Sequence, residues 1–172
     1  MKRPLLLLLA LLASPLTRAE ESRPLLAGAW KFDAARSTEL SPWKNYDLVI
    51  TVDGSLVTLE RKLAWGRREY ADRMALDLGQ PETAVPIAYW PDNRHLGAYV
   101  GDNQTKRVRA AWLDAGRILR LSSDLVLETQ QGPRAVNILS DYKVSANGAQ
   151  LTLTELRSTR NRPVVHVFTR TK

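Results

Sequence analysis

Beyond residue 27 the chain is a succession of short stretches in which apolar and polar residues alternate, each closed by a turn signal. The sharpest are Tyr46–Val52, Leu56–Leu63, Arg68–Leu76, Leu119–Leu127, Val136–Val144, Leu151–Arg157 and Val164–Arg170. Hairpin residues stand between them: Asp53-Gly54, Trp65-Gly66, Asp114-Ala115-Gly116, Gln131-Gly132 and Asn147-Gly148. A period of two puts every second side chain on one face, and tight turns make consecutive strands antiparallel. One face of the resulting sheet is apolar and must be buried. Closing the sheet on itself buries it and removes exposed strand edges. The expected fold is all-β: one up-and-down antiparallel meander closed into a barrel of about 8–10 strands.

The first residues read differently. Lys2 and Arg3 precede the apolar run Leu5–Leu12, and Ser14-Pro15-Leu16-Thr17-Arg18-Ala19 follows. The run is shorter than the roughly 20 residues that span a membrane. A basic start, a short apolar core and small residues at the end predict a secretory signal over 1–19, cleaved after Ala19, and a barrel domain over 20–172. The sequence has no cysteine, so packing rather than disulfides must stabilise an exported domain. That combination points to a bacterial periplasm or exterior.

The formal net charge is +7, but Lys2, Arg3 and Arg18 belong to the leader, leaving 22 basic against 18 acidic residues. They are scattered, as on a solvated surface, although a weak attraction to anionic lipid or an acidic ligand is the functional alternative. No nucleic-acid-binding signature is present, so no such partner is expected. His95 and His166 are the two histidines and have no ligand spacing, so neither a metal nor a cofactor is expected.

Ala34–Lys44 is expected to be a loop with room for one helical turn. Leu78–Arg94, with Pro81, Pro86 and Pro91, is the longest interruption and is expected to be a long loop, the kind that often serves as a lid. His95–Val100 and Lys106–Leu113 return to strand character. Trp65 is placed in a turn and Tyr89-Trp90 in the long loop; with Trp43 and Trp112 they either pack the loops or cap a ligand at the mouth.

Turn counting fixes which residues face one another. A two-residue turn at Asp53-Gly54 sets Ile50 opposite Val57, Leu48 opposite Leu59 and Tyr46 opposite Arg61. A turn at Trp65-Gly66 sets Leu63 opposite Arg68, Arg61 opposite Tyr70, Leu59 opposite Asp72 and Val57 opposite Met74. A turn at Gln131-Gly132 pairs Leu127 with Val136, Leu125 with Ile138, Ser123 with Ser140 and Leu121 with Tyr142. The Asn147-Gly148 turn pairs Val144 with Leu151, Tyr142 with Leu153 and Ser140 with Glu155. A turn at Arg160-Asn161 sets Leu153 opposite Phe168, Glu155 opposite His166 and Leu151 opposite Arg170. Every apolar partner lands on one face.

Two polar groups fall on that same face. Tyr46, Arg61, Arg68, Tyr70 and Asp72 gather toward the mouth. Either Arg61 pairs with Asp72 at a wet rim, or the arginines and tyrosines hook an anion. Ser123, Ser140, Glu155 and His166 are expected to form a row across four strands. They would be internally satisfied polar groups or a ligand-specificity row. A hydrolytic reading of serine, carboxylate and histidine lacks a nucleophile elbow and free oxyanion donors, so no catalytic residue is expected.

The first strand reads Leu26-Ala27-Gly28-Ala29-Trp30-Lys31-Phe32-Asp33, with Arg36-Ser37 after it, and the last reads Val164-Val165-His166-Val167-Phe168-Thr169-Arg170. Gly-x-Trp on strand one, a meander, and an arginine closing the last strand resemble the lipocalin superfamily. The Gly-x-Trp-Lys-x-Asp…Ser form, with the late Tyr142-Lys143-Val144-Ser145-Ala146-Asn147-Gly148 stretch, is similar to small secreted bacterial lipocalin-like proteins. The resemblance implies a structural floor in which Trp30, beside Gly28, stacks on Arg170, and small apolar ligands as cargo. Turn counting places the same three residues at one end. The expectation is a monomeric, non-enzymatic binder of an apolar or amphipathic anion such as a fatty acid. The alternatives are an envelope module with a filled barrel, touching a membrane surface or partner, and, more distantly, a hydrolase.

Overall fold

The computed structural model describes residues 25–38, 43–87 and 104–171. Within them ten strands follow in order: β1 (Gly28–Asp33), β2 (Asn45–Asp53), β3 (Leu56–Trp65), β4 (Arg68–Asp77), β5 (Thr83–Pro86), β6 (Thr105–Leu113), β7 (Ile118–Thr129), β8 (Gly132–Val144), β9 (Gln150–Arg157) and β10 (Val164–Arg170). All pairings are antiparallel, and the sheet runs β4-β3-β2-β1-β10-β9-β8-β7-β6-β5. β1 and β10 join the two ends of the meander, from Trp30↔Arg170 to Asp33↔Val167. The sheet edges are β4 and β5, which are successive in the chain, and among the described residues no ladder joins them. The barrel is thus nearly closed, with one seam zipped by hydrogen bonds and the other spanned by residues 78–82.

Four hairpins differ in register from simple turn counting. The first turn is Gly54-Ser55, with Val52↔Val57, Ile50↔Leu59, Leu48↔Arg61 and Tyr46↔Leu63. The second is Gly66-Arg67, giving Leu63↔Tyr70, Arg61↔Asp72, Leu59↔Met74 and Val57↔Leu76. In both, the leading glycine alone has positive φ, 56° at Gly54 and 58° at Gly66. That is the II′ pattern, which favours glycine at the first central position. Trp65 accordingly ends β3 rather than sitting in the turn. The third turn is Gln130-Gln131, giving Leu125↔Val136, Ser123↔Ile138, Leu121↔Ser140 and Leu119↔Tyr142. Here Thr129 Oγ1 accepts from Gln131 N at 3.2 Å and donates to Gly132 O at 2.7 Å, closing the turn one residue early. The Asn147-Gly148 register matches the expectation. The last hairpin is shifted, with Val164↔Glu155, His166↔Leu153 and Phe168↔Leu151. Every slip moves the partner by two residues, so each side chain keeps its face.

Among the connections, the expected helical turn is present and the expected long loop differs. Ala34–Arg36 forms one 3-10 turn, capped by Asp33. β5 lies inside what reads as a long loop; as an edge strand it tolerates Pro86. The expected signal, the strand at His95–Val100 and the aromatic pair Tyr89-Trp90 lie outside the described residues.

The lower barrel is solid. Leu48, Ile50, Val57, Leu59, Leu76, Leu119, Leu151, Leu153 and Phe168 have essentially no exposed surface. Beneath them Trp30, 1% exposed, donates from Nε1 to Leu26 O at 3.0 Å. The Arg170 guanidinium lies 4.2 Å from its ring centroid. Its Nε donates to Gly148 O and its Nη1 to Ala27 O, each at 2.7 Å, and its Nη2 to Leu25 O. A Cβ on Gly28 would collide with that guanidinium, and Gly28 has φ 140°, so glycine is required there. One arginine therefore binds the start of β1, the β8–β9 turn and the last strand into a floor.

Candidate ligand chamber

Above the core the interior turns polar. Arg61 and Asp72 face each other across β3 and β4. Arg61 Nε donates to Asp72 Oδ1 at 2.7 Å, and Nη2 donates to Oδ2 to complete a fork. On β9, Glu155 and Arg157 point inward together, two residues apart, with Arg157 Nη2 to Glu155 Oε2 at 2.6 Å. Arg157 is 7% exposed. Burial alone would raise the Glu155 carboxyl, but Arg157, His166 and Arg61 outweigh it and hold the group at about 2. Ser140 Oγ reaches Glu155 Oε1 at 3.3 Å.

These pairs line one chamber of about 50 Å³, with Lys106 from β6 and Ser123 from β7. Met74, Ile87, Leu121, Leu125 and Ile138 supply its apolar wall. Burial and the Arg61 charge pull the Lys106 ammonium down to about 8, against the opposing influence of Asp72 and Glu155. Among the described residues no hydrogen bond or ion pair engages it. The chamber therefore holds three cations and two carboxylates, and an arginine grips each carboxylate. Its volume suits about four waters or the head of a small molecule. Pockets that enclose drug-sized ligands run to about 300–1,000 Å³.

The expected mouth group divides. Arg61 and Asp72 enter the chamber wall. Tyr46 instead lies in the core, its ring 5.1 Å from Phe168 and 6.1 Å from Phe32. Burial pushes its hydroxyl up to about 12, with Arg61 opposing. Tyr70 is half-buried beside Trp43, ring centroids 6.5 Å apart. Arg68 is exposed at the start of β4 and lies outside the chamber, contrary to its expected interior position, because the sheet ends there and leaves the rim in solvent.

The expected four-residue row is also broken. Ser140 and Glu155 are opposite each other, but Ser123 faces Ile138 and His166 faces Leu153, because two hairpins are shifted by two residues. His166, 2% exposed, sits edge-on between Phe32 and Tyr46 at 5.7 and 5.6 Å. Neither ring nitrogen has a hydrogen-bond partner among the described residues. Burial lowers it to about 4, with Glu155 opposing, so it is neutral at pH 7. Serine, carboxylate and histidine thus form no continuous hydrogen-bond relay.

Lys106 and Arg157 were the chamber residues that turn counting passed over. Both carry the inward parity of their strands, Lys106 with Val108 and Arg157 with Leu151 and Leu153. Following the two-residue period to the ends of the alternating runs would have found them.

No protein-family model matches the chain, and no curated protein matches it. Among solved structures it is similar to a Schistosoma mansoni fatty acid binding protein in complex with arachidonic acid. That likeness covers 88% of this chain and 99% of the other, with TM-score 0.54 and 10% identity. The chain folds as a lipocalin-like barrel. At that identity the likeness concerns architecture alone.

Proposed function

We propose that this barrel is a non-enzymatic binding protein for a small amphipathic anion, working in a bacterial periplasm or exterior. One observation carries the reading: the chamber has one more cation than carboxylates, and the surplus charge is the unengaged Lys106. An unpaired, half-buried cation among apolar side chains is costly, and an anionic head group would offset that cost. The apolar wall at Ile87, Leu121 and Leu125 suits a short tail. The fatty acid binding protein of similar fold supports the choice of ligand class by analogy.

The small volume takes a head group and favours short acids over long chains. Hexanoate and octanoate should raise the melting temperature and shift tryptophan emission, whereas hexanol should do neither. Lys106→Gln should weaken hexanoate binding at least tenfold, or about 1.4 kcal/mol. Arg68→Ala should change it less than twofold. Silence across all acids would sink the binding reading and favour the filled envelope module, for which the solid lower barrel speaks. The export reading rests on the pattern of residues 1–19; a bacterial host expressing the full chain should release a product beginning at Glu20.

A further inference from the structure

We propose that Lys106 is a nucleophilic amine that captures short-chain aldehydes as an imine inside the barrel. The inference rests on the chamber being a ligand site and adds a second chemical class to it. An imine-forming lysine needs an ammonium that gives up its proton readily, an enclosed site beside a second cation, and space for a carbonyl. Lys106 meets all three. Its side chain enters the chamber from β6, where Val85 of β5 pairs with it. Ile87, Leu121 and Leu125 desolvate it, and the Arg61 guanidinium stands nearby. The two carboxylates that could keep it charged, Asp72 and Glu155, are each held by an arginine, Arg61 and Arg157. These groups favour loss of its proton, and the ammonium is accordingly brought down to about 8.

The chemistry balances without any further reagent. The lysine ammonium gives up one proton, its nitrogen lone pair attacks the carbonyl carbon, and the carbonyl oxygen takes up two protons, both originally on that nitrogen. The carbinolamine then loses one water, leaving a C=N bond in place of C=O. The protonated imine keeps the single positive charge of the lysine, so the chamber's charge balance is unchanged. A chamber of about 50 Å³ admits the carbonyl group.

The test treats the full chain with hexanal and cyanoborohydride, followed by peptide mapping by mass spectrometry. Lys106 should acquire a single hexyl group at least tenfold faster at pH 7.5 than Lys62 and Lys143, which lie on exposed faces of β3 and β8. Its rate should rise through about pH 8 and then level off. Lys106→Arg, which forms no imine, should lose the label; the wild-type pH profile carries the test should that variant fail to fold. Equal labelling of all lysines, or surface labelling with Lys106 untouched, overturns the proposal. Selective labelling without hexanoate binding would uphold the imine and reject the anion reading. Hexanoate binding without selective labelling would reject the imine alone.

Discussion

His166 is buried neutral and Glu155 buried charged, and acid undoes both arrangements in turn. His166 has a folded pKa of about 4, below the 6.5 of a free histidine. Between those values the unfolded chain binds a proton that the folded chain does not, so stability is full above pH 6.5 and falls toward pH 4. The loss is about 3 kcal/mol. Glu155, at about 2 against 4.5, adds a second loss over that lower window, with the same sign. Urea melts at pH 7.5, 5 and 3 should show both steps, and His166→Leu should remove only the upper one. The Glu155–Arg157 pair makes a separate prediction. Arg157→Ala leaves a buried carboxylate without its guanidinium and should cost about 3–5 kcal/mol, read as a shift in the urea midpoint at pH 7.

At the scale of strands and turns, the tightest constraint is the glycine at the head of β1. Gly28→Ala forces a side chain into the Arg170 guanidinium at a positive φ and should destabilise by about 2 kcal/mol. Thermal melts against Gly54→Ala would separate the two effects, since Gly54 has positive φ but open space around it. The faces of the strands were legible in the sequence because alternation survives any even slip. The registers were less so. A glycine in Asp53-Gly54 or Trp65-Gly66 serves either central position of a two-residue turn, and the backbone twist chose the first. β5 was hidden by Pro86, which an edge strand accepts, and by Pro81 just before it. Lys106 and Arg157 were hidden by their charge: a cation at the end of an alternating run reads as frayed strand until neighbouring strands extend past it. The aromatic box around His166 was invisible for another reason, as it joins Phe32, Tyr46 and Phe168 from three strands.

For the molecule as a whole, the floor and the zipped seam act together. Trp30→Ala removes the largest buried ring of the floor and should cost about 3–5 kcal/mol, with a clear drop in melting temperature. The same arginine that stacks on Trp30 reaches Leu25, Ala27 and Gly148, so the first and last described residues of the barrel meet at one place. The other seam carries no ladder among the described residues, only the short connection from β4 to β5. This asymmetry makes the barrel a candidate for circular permutation at one defined point. A chain with Thr171 joined to Leu25 through a short linker and new ends between Pro81 and Glu82 would keep every described strand pairing. It should unfold cooperatively in urea. A permutant opened at Asn147-Gly148 would cut the turn that Arg170 grips and should be much the weaker of the two.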